Sequence, residues 1–114
     1  MADIGGNITG VIQVKSAAKN AIGESVKDWT TTFEHTGWLD LLSGDSEYTS
    51  YLAKVKESTH IFLCDYHAGI YALSENDTRM IINGFVYDVT YIDNPQERNE
   101  HLEIFLRKVG AWNG

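Results

Sequence analysis

The residues best suited to chemistry lie close together in the middle of the chain, where His60, Cys64, Asp65 and His67 fall within eight positions. Imidazole, thiolate and carboxylate groups are the usual protein ligands of zinc. On a strand, however, His60 and Cys64 would point to the same face about 13 Å apart, which is too far for them to share an ion. The spacing therefore favours Cys64 as a small buried hydrophobe and His67 as a loop residue, with a small metal-binding, hydrolase-like module as the alternative.

A thiol nucleophile is the second chemistry that these side chains allow, with Cys64 activated by His60 or His101. The sequence around Cys64 contains neither a glycine-rich elbow nor an oxyanion-hole motif, so nothing local supports this reading. Paired carboxylates for acid-base work are a third option, offered by the acidic group Asp93, Glu97, Glu100 and Glu103. We interpret this group as a solvated turn and strand edge that Arg98 partly balances.

Binding loops for phosphorylated cofactors are missing as well, since the sequence contains neither G-x-x-x-x-G-K-[ST] nor G-x-G-x-x-G. Nine Lys and Arg stand against sixteen Asp and Glu, which gives a formal net charge of −7. Such a surface repels the phosphates of a DNA duplex and argues against a nucleic-acid clamp, although DNA could pass it without being gripped. We therefore expect a protein that is not an enzyme, has no catalytic or metal-binding residue and needs no cofactor.

The chain length limits the number of domains, and the cysteine content indicates the redox state of the compartment. A chain of 114 residues is expected to form one domain, residues 1–114. The single cysteine rules out an intramolecular disulfide and favours a reducing compartment. No apolar run approaches the roughly 18 residues of a membrane span, and the N-terminus lacks the features of a signal peptide. The expected location is the cytosol, without a membrane.

Alternation of apolar and polar residues, which is typical of strands, marks residues 8–15, 29–42, 59–65 and 102–109. The segment 59–65, THIFLCD, predicts a strand buried on both faces. Gly37 interrupts the segment 29–42 and suggests a bulge or a bend there. Residues 16–27, SAAKNAIGESVK, are small, polar and poorly periodic, and they predict a long exposed loop.

The strongest local signal is a hairpin over residues 79–93, RMIINGFVYDVTYID. Asn83 and Gly84 supply the two positive-φ residues of a type I′ turn. Because a two-residue loop fixes the register, Arg79 should face Asp88 and form an opposite-charge pair across the strands. The same register assigns one face of the hairpin to the core, comprising Met80, Ile82, Phe85, Tyr87 and Val89.

Residues 43–56 change to a helical period, since Tyr48, Tyr51, Leu52 and Val55 fall on one face. A helix of about three turns needs core contacts or a partner surface to become ordered. The four alternating segments and the two strands of the hairpin make six predicted strands. Their spacing does not fit βαβ units, so they predict an all-β fold. We expect a small antiparallel β-barrel of about six strands, closed because open edges invite aggregation, with one short helix or mobile loop after the second strand.

The predicted environment differs among the three tryptophans. Trp29 and Trp38 lie in strand segments and should be core or half-core residues. Trp112 lies close to the C-terminus in GAWNG, where a large aromatic residue is costly unless it docks. It should either fold back on its own barrel or insert into a neighbour, which makes it a candidate partner contact.

A longer pattern runs through most of the chain and is composed of Gly23, Trp29, Trp38, Gly44, Glu47, Thr59-His60, Asp77-Thr78-Arg79, Ile82-Asn83-Gly84, Tyr87-Asp88-Val89, Asp93-Asn94 and Leu102-Glu103-Ile104. In this order it resembles the phage head-tail joining family, also described as head-completion or stopper proteins of the siphophage neck. The G-x-x-Y-D-[VI] hairpin with the upstream tryptophans is its most specific part. The sequence departs from the family at residues 64–66, which read Cys-Asp-Tyr where an Arg-Tyr is usual.

The resemblance implies a structural virion subunit that forms a ring, dodecameric in the family, joining the portal-adaptor complex of the DNA-filled head to the tail and retaining or gating DNA. Its partners would be further copies of itself in the virion, with a monomer as an option for the isolated protein, together with the portal and adaptor proteins, a tail protein and genomic DNA that passes without sequence-specific binding. Assembly would take place in the host bacterial cytoplasm, and the neck of the virion would be its final location. A tail-completion or terminator ring is the alternative.

The resemblance also assigns roles to residues. In some members the segment after the second strand lines or plugs the channel, and the corresponding positions are Ser43, Gly44, Asp45, Ser46, Glu47, Tyr48, Thr49, Ser50, Tyr51 and Leu52. Whether this segment would close the channel or only line it stays open. The turn and register of the hairpin depend on Arg79, Asn83, Gly84, Tyr87 and Asp88.

Overall fold

A computed structural model describes residues 4–19, 25–42 and 58–113 of the chain. The strands in chain order are β1 (Ile8–Lys19), β2 (Ser25–Leu41), β3 (His60–Asp65), β4 (Thr78–Ile82), β5 (Phe85–Asp93) and β6 (His101–Ala111). A one-turn helix, α1 (Ala68–Tyr71), follows β3, and two 3-10 turns cover Glu75–Asp77 and Pro95–Glu97. The helix predicted over residues 43–56 lies outside the described residues, whereas α1 lies where a loop was predicted. None of the helices in the described ranges is long and apolar enough to cross a membrane.

The six strands form one closed antiparallel barrel in the order β1-β2-β3-β6-β5-β4. Closure depends on β1, which pairs with β2 on one side and with β4 on the other, where Val11 lies opposite Ile81 and Val14 opposite Thr78. A closed sheet leaves no edge strand in its wall to recruit another chain. The predicted fold class, a small all-β barrel of about six strands, is confirmed.

The β4–β5 hairpin has the register predicted from its two-residue turn. Arg79 lies opposite Asp88 and Ile82 opposite Phe85. The turn residues Asn83 and Gly84 have φ angles of 51° and 80°, as a type I′ turn requires. Glycine at the second position adopts this conformation without the steric cost that a Cβ would add.

Inward-facing side chains from five strands and α1 fill the barrel. The largest fully buried ones are Phe62, Ile12, Ile70, Met80, Ile82, Leu102, Ile104, Leu106 and Cys64. Four of the five residues that the hairpin register assigns to the core are buried there. Phe85 is the exception, since it is 38% exposed. It follows the turn directly at the end of the barrel, where Lys108 Nζ lies 3.7 Å from the centroid of its ring.

Two corrections concern the strand β2. The loop predicted for residues 16–27 is wrong at both ends, because β1 continues to Lys19 and β2 already begins at Ser25, with the two paired throughout. Pairing of β1 with β4 stops at Val14, and pairing of β2 with β3 starts at Gly37. Residues 15–19 and 25–29 therefore form a two-stranded ribbon beyond the barrel wall, where no core imposes an apolar period on the sequence. We call this segment the ribbon.

The second correction concerns the bulge. The register of β1 against β2 shifts between Ile12 and Gln13, whose partners are Phe33 and Thr31, so Thr32 is the extra residue and Gly37 is regularly paired. Gly37 is needed for space instead, since a Cβ built there would lie 2.3 Å from the Leu63 carbonyl oxygen and 2.7 Å from the Phe62 ring. Glycine in a strand often marks such a close approach.

Gly37→Ala should destabilise the barrel by about 1–3 kcal/mol, because the added methyl group overlaps backbone and an aromatic ring that cannot easily move. Gly110→Ala is the matched control, since a Cβ at this strand position meets nothing within 4 Å. We expect urea unfolding to show a lower midpoint for Gly37→Ala and an unchanged or slightly raised midpoint for the control. Equal midpoints for the two variants would contradict the packing role of Gly37.

Candidate interaction surfaces

A polar network spans the outer wall where the ribbon leaves the barrel. The Gln13 amide donates to the Thr31 hydroxyl at 3.3 Å, and Arg79 Nε donates to Gln13 Oε1 at 2.8 Å. The Arg79 guanidinium lies over the Trp29 ring, 4.2 Å from its centroid, and Lys15 Nζ lies 5.7 Å from the same centroid. Cation-π contacts of this kind hold the cations and the ring together. These side-chain contacts between β1, β2 and β4 therefore fix the base of the ribbon to the barrel wall.

Arg79 lies opposite Asp88, as the predicted register requires. The hydrogen bond to the Asp88 carboxylate, however, comes from another residue. Asp88 Oδ2 accepts a hydrogen bond from Arg107 Nη2 at 2.9 Å, while the Arg79 Nε turns to Gln13. Burial lowers the pKa of Arg79, and the charge of Asp88 raises it by a smaller amount. Arg107 could not be assigned from the sequence because the register of β6 depends on the longer connection from β5.

A recess of about 370 Å³ lies between the ribbon and the barrel wall. Its lining includes Lys15, Trp29, Glu75, Asp88, Thr90 and Arg107. Ligand pockets for small molecules are mostly apolar with a few polar groups, whereas these walls are mainly charged and polar. The recess is therefore better suited to polar side chains of another protein surface than to an apolar cofactor.

Three exposed apolar residues mark the end of the barrel at the hairpin turn, namely Phe85, Val109 and Trp112. We call them the end patch. The Trp112 N–H donates to the Gly84 carbonyl at 2.9 Å, so the C-terminal segment is tied to the turn. The Trp112 side chain nevertheless stays 43% exposed. Exposed aromatic residues on an ordered backbone are typical anchors of protein interfaces.

Of the two tryptophans in strands, Trp29 and Trp38, one is more exposed than predicted. Trp29 is half-buried under Arg79, as expected. Trp38, expected in the core or half-core, is 42% exposed on the outer face of β2. Its Nε1 donates to the Ile4 carbonyl at 2.9 Å, and the Asp65 carboxylate accepts from the Ile4 N–H at 2.7 Å. Trp38 thus helps to hold the N-terminal segment against the barrel.

The three residues considered for a metal site have separate structural roles. Cys64 is fully buried in the core. His60 packs edge-on against Tyr87, and burial together with the charge of Lys108 lowers its pKa. His67 caps α1, because its Nδ1 accepts from the Ile70 N–H at 3.3 Å. Within residues 4–19, 25–42 and 58–113 there is no group of His, Cys, Asp or Glu that could hold a metal ion.

Nucleophilic chemistry at Cys64 is opposed by its environment. Burial, and to a smaller extent the charge of Asp65, raises the pKa of the Cys64 thiol from 9.0 to about 12. A thiol with this pKa is protonated at neutral pH, and the protonated form is neither nucleophile nor metal ligand. The residue behaves as the small buried hydrophobe that the sequence favoured.

The acidic group is only partly the solvated turn that the sequence predicted. Glu97 is exposed, but the side chain of Glu103 is only 14% exposed and lies 3.6 Å from His101 Nε2. Glu103 also lies directly opposite Asp93 in the β5–β6 register. Burial raises the pKa of Glu103, a hydrogen bond from His101 lowers it, and the neighbouring Asp93 raises it further.

Three other sets of residues are predicted to have a role, and two of them lie in the described part of the chain. Residues 43–52, assigned to the channel, lie outside the described residues. The hairpin residues Arg79, Asn83, Gly84, Tyr87 and Asp88 occupy the positions that set turn and register. Trp112 lies at the end patch.

A family model described as phage head completion protein matches residues 9–109, which include β2 to β5 completely and most of β1 and β6. The chain belongs to the phage head completion protein family. This is a family of structural proteins, and the place of this head completion protein is the virion. A search of curated proteins found no match.

Two solved structures share the fold of this head completion protein. The solution structure of protein SF1141 from Shigella flexneri 2a superimposes with a TM-score of 0.73 at 18% identity, covering 95% of this chain and 96% of that one. A chain in the virion of a native gene transfer agent particle superimposes with a TM-score of 0.55 at 14% identity, covering 92% and 96%. At these identities the likeness establishes the fold alone.

The state of Cys64 gives a direct check of the core. We expect a thiol reagent at pH 8 to react slowly with the folded protein and rapidly in urea, because the raised pKa keeps the buried thiol protonated. Since the unfolded thiol ionises near pH 9.0 and the folded one near 12, the Cys64 contribution to stability should fall as the pH rises through that window. Rapid labelling of the folded chain at pH 8 would contradict this placement.

Proposed function

We propose that copies of this chain form a ring in the neck of the virion, between the portal-adaptor complex of the head and the tail, and that the ring retains the packaged DNA. The observation that carries this proposal is the family match over residues 9–109. Head completion is the shared role of the family, and the ring, the portal contact and the control of DNA are the finer steps that we add.

The packed interior of the barrel supports a ring. Phe62, Met80 and Leu106 are fully buried and fill the middle, as expected for a barrel of so few strands. DNA therefore cannot pass through one subunit, and its path must lie between several. Head-to-tail contacts that close by rotation generate such a central hole.

The surface charge supports a conduit that does not hold DNA. The formal net charge of −7 repels phosphates. A strongly basic lumen would instead bind the DNA backbone and slow its ejection. Retention would then depend on a steric obstacle in the hole and not on affinity for DNA.

The segment of residues 43–56, for which the resemblance implies a channel role, remains a prediction. The described residues at its two ends lie side by side on the outer wall. The Leu42 N–H donates to the Thr59 carbonyl at 2.9 Å, and the Ser58 and Thr90 hydroxyls are 2.6 Å apart. Leu42 packs on a small outer cluster formed by Ile61 and Phe105. The segment thus leaves and rejoins the barrel at one point, which is compatible with its presentation to a channel.

Virions assembled without the protein test the proposed role. We expect filled heads that lose their DNA and carry no tail, as seen by electron microscopy and by nuclease sensitivity of the DNA, because the neck would lack its seal. Adding the purified protein to tail-less heads that carry portal and adaptor should restore nuclease resistance. Particles with full, stable heads and overlong tails would indicate a terminator ring instead, and infectious particles would refute both.

The end patch provides a second test, at Trp112. Trp112→Ala should leave the unfolding midpoint almost unchanged, because the side chain is exposed, and should weaken binding to the tail-less heads by about tenfold if Trp112 is an interface anchor. Trp112→Phe is the matched control, since it keeps an aromatic surface. Unchanged binding by Trp112→Ala would remove Trp112 from the contact.

A further inference from the structure

The outer wall of the barrel carries apolar residues where a polar surface is expected. Strands of a closed barrel alternate between side chains that point inward and side chains that point outward. Phe62 of β3 is a core residue, and so are Ile104 and Leu106 of β6. Their neighbours Ile61 and Phe105 therefore point outward. These two residues lie directly opposite each other in the β3–β6 register and form the outer cluster.

The outer cluster is almost as inaccessible to water as the core. Ile61 is 3% exposed and Phe105 is 2% exposed. Their apolar neighbours within the described ranges are Leu42, Leu63 and Tyr91, and each of these is only half-buried. Leu63 and Tyr91 stand on the same sheet, so they flank the cluster and do not lie over it. Since these exposures are those of one isolated copy, a neighbouring molecule is not needed to cover the cluster.

Both ends of the stretch 43–57 are fixed beside the outer cluster. Leu42, directly before it, packs on the cluster. Directly after it, the buried Ser58 hydroxyl lies 2.6 Å from the hydroxyl of Thr90, and Thr90 Oγ1 donates to the Phe105 carbonyl at 3.0 Å. The stretch therefore starts and ends at the place where a cover is needed.

The stretch also matches the cluster in chemistry and size. Its apolar residues Tyr48, Tyr51, Leu52 and Val55 recur with the helical period, and they cover about 11 Å along a helix. The strands β3, β6 and β5 are neighbours, and three strands are about 10 Å wide. Because two residues separate Val55 from Ser58, this end of the apolar stripe stays within about 10 Å of the wall anchor.

We propose that residues 43–57 dock on the outer cluster of their own barrel, as an amphipathic helix whose apolar side chains cover Ile61 and Phe105. A helix of about three turns is marginal in water on its own, and the cluster supplies the surface that orders it. In this arrangement Ser46 and Ser50, on the opposite face of the helix, are turned toward the solvent. The occupant of the cluster is thus a segment of the same chain and not a second molecule.

This docking goes beyond the proposed function and does not depend on it. One consequence does rest on the proposed function, namely that the wall of β3, β6 and β5 faces the channel, because the resemblance gives residues 43–52 a channel role. The docking is tested on the isolated chain, whereas the role in the neck is tested on virions. Either proposal can therefore fail while the other stands.

Contacts within the isolated wild-type protein give the first test. Under conditions in which the chain sediments as a monomer, we expect nuclear Overhauser effects from the ring protons of Tyr48 and Tyr51 to the methyl groups of Ile61 and the ring of Phe105. A mixture of isotopically labelled and unlabelled chains distinguishes contacts within one chain from contacts between two. The proposal is overturned if these contacts are missing, or if they arise only between labelled and unlabelled chains.

A matched pair of variants tests which face of the segment docks. Leu52→Asp places a charge against the outer cluster, and we expect it to accelerate amide hydrogen exchange in residues 48–55 by about tenfold or more, because undocked amides open freely. Ala53→Asp is the matched control, since it introduces the same residue at the adjacent position, away from the apolar stripe, and should leave this exchange almost unchanged.

Exchange in the hairpin, residues 79–93, shows whether the barrel of each variant is folded, and it should stay slow in both. Equal acceleration by the two variants would contradict the proposal, as would unprotected amides across residues 48–55 of the wild type. If Leu52→Asp unfolds the whole barrel, the Overhauser contacts of the wild type decide.

Discussion

The space inside a six-stranded barrel is the constraint on which the rest of the structure depends. A Cβ built on Gly10 would lie 2.4 Å from the Met80 side chain, and one built on Gly37 would lie 2.7 Å from the Phe62 ring. The two glycines lie on the neighbouring strands β1 and β2. Because they have no side chains, they leave space that the side chains of Met80 and Phe62 occupy in the centre of the barrel. A barrel becomes narrower as the number of its strands decreases, and larger residues at both positions would force the wall apart. With the centre filled, β1 can reach both β2 and β4, and the sheet closes.

Closure also determines what the outer surface can present. The strands β1 and β2 are longer than the wall requires, and beyond Val14 and before Gly37 they lose their other neighbours. Five residue positions beyond the wall add about 17 Å of ribbon. The radius of gyration is accordingly 14.8 Å, against about 13 Å for a compact chain of this length. The ribbon is held at its base by Arg79 and Trp29, so a rigid barrel carries a projecting arm in a defined direction.

Local rules were sufficient for some elements and not for others. The β4–β5 hairpin could be counted residue by residue, because Asn83 and Gly84 fix both turn type and register. For the ribbon the sequence predicts a loop, because two strands that pair only with each other need no apolar period. At Gly37 the sequence suggests a bulge or a bend, because it does not reveal that the Leu63 carbonyl approaches this position. The contact of Arg107 with Asp88 depends on a register across a seven-residue connection, residues 94–100, which no turn rule fixes.

The same packing gives structural roles to the residues that were considered for catalysis or metal binding. The Cys64 thiol is held protonated by burial, and His67 is occupied as a helix cap. His60 packs against Tyr87, and burial together with the charge of Lys108 lowers its pKa. Each of these three side chains thus contributes to the folded barrel. A closed, filled barrel has no inner surface to offer, so the described residues available to partners are those of the outer wall, the ribbon and the two ends. The proposed ring depends on contacts between these outer surfaces of neighbouring subunits, and such contacts can surround a hole that a single subunit cannot contain.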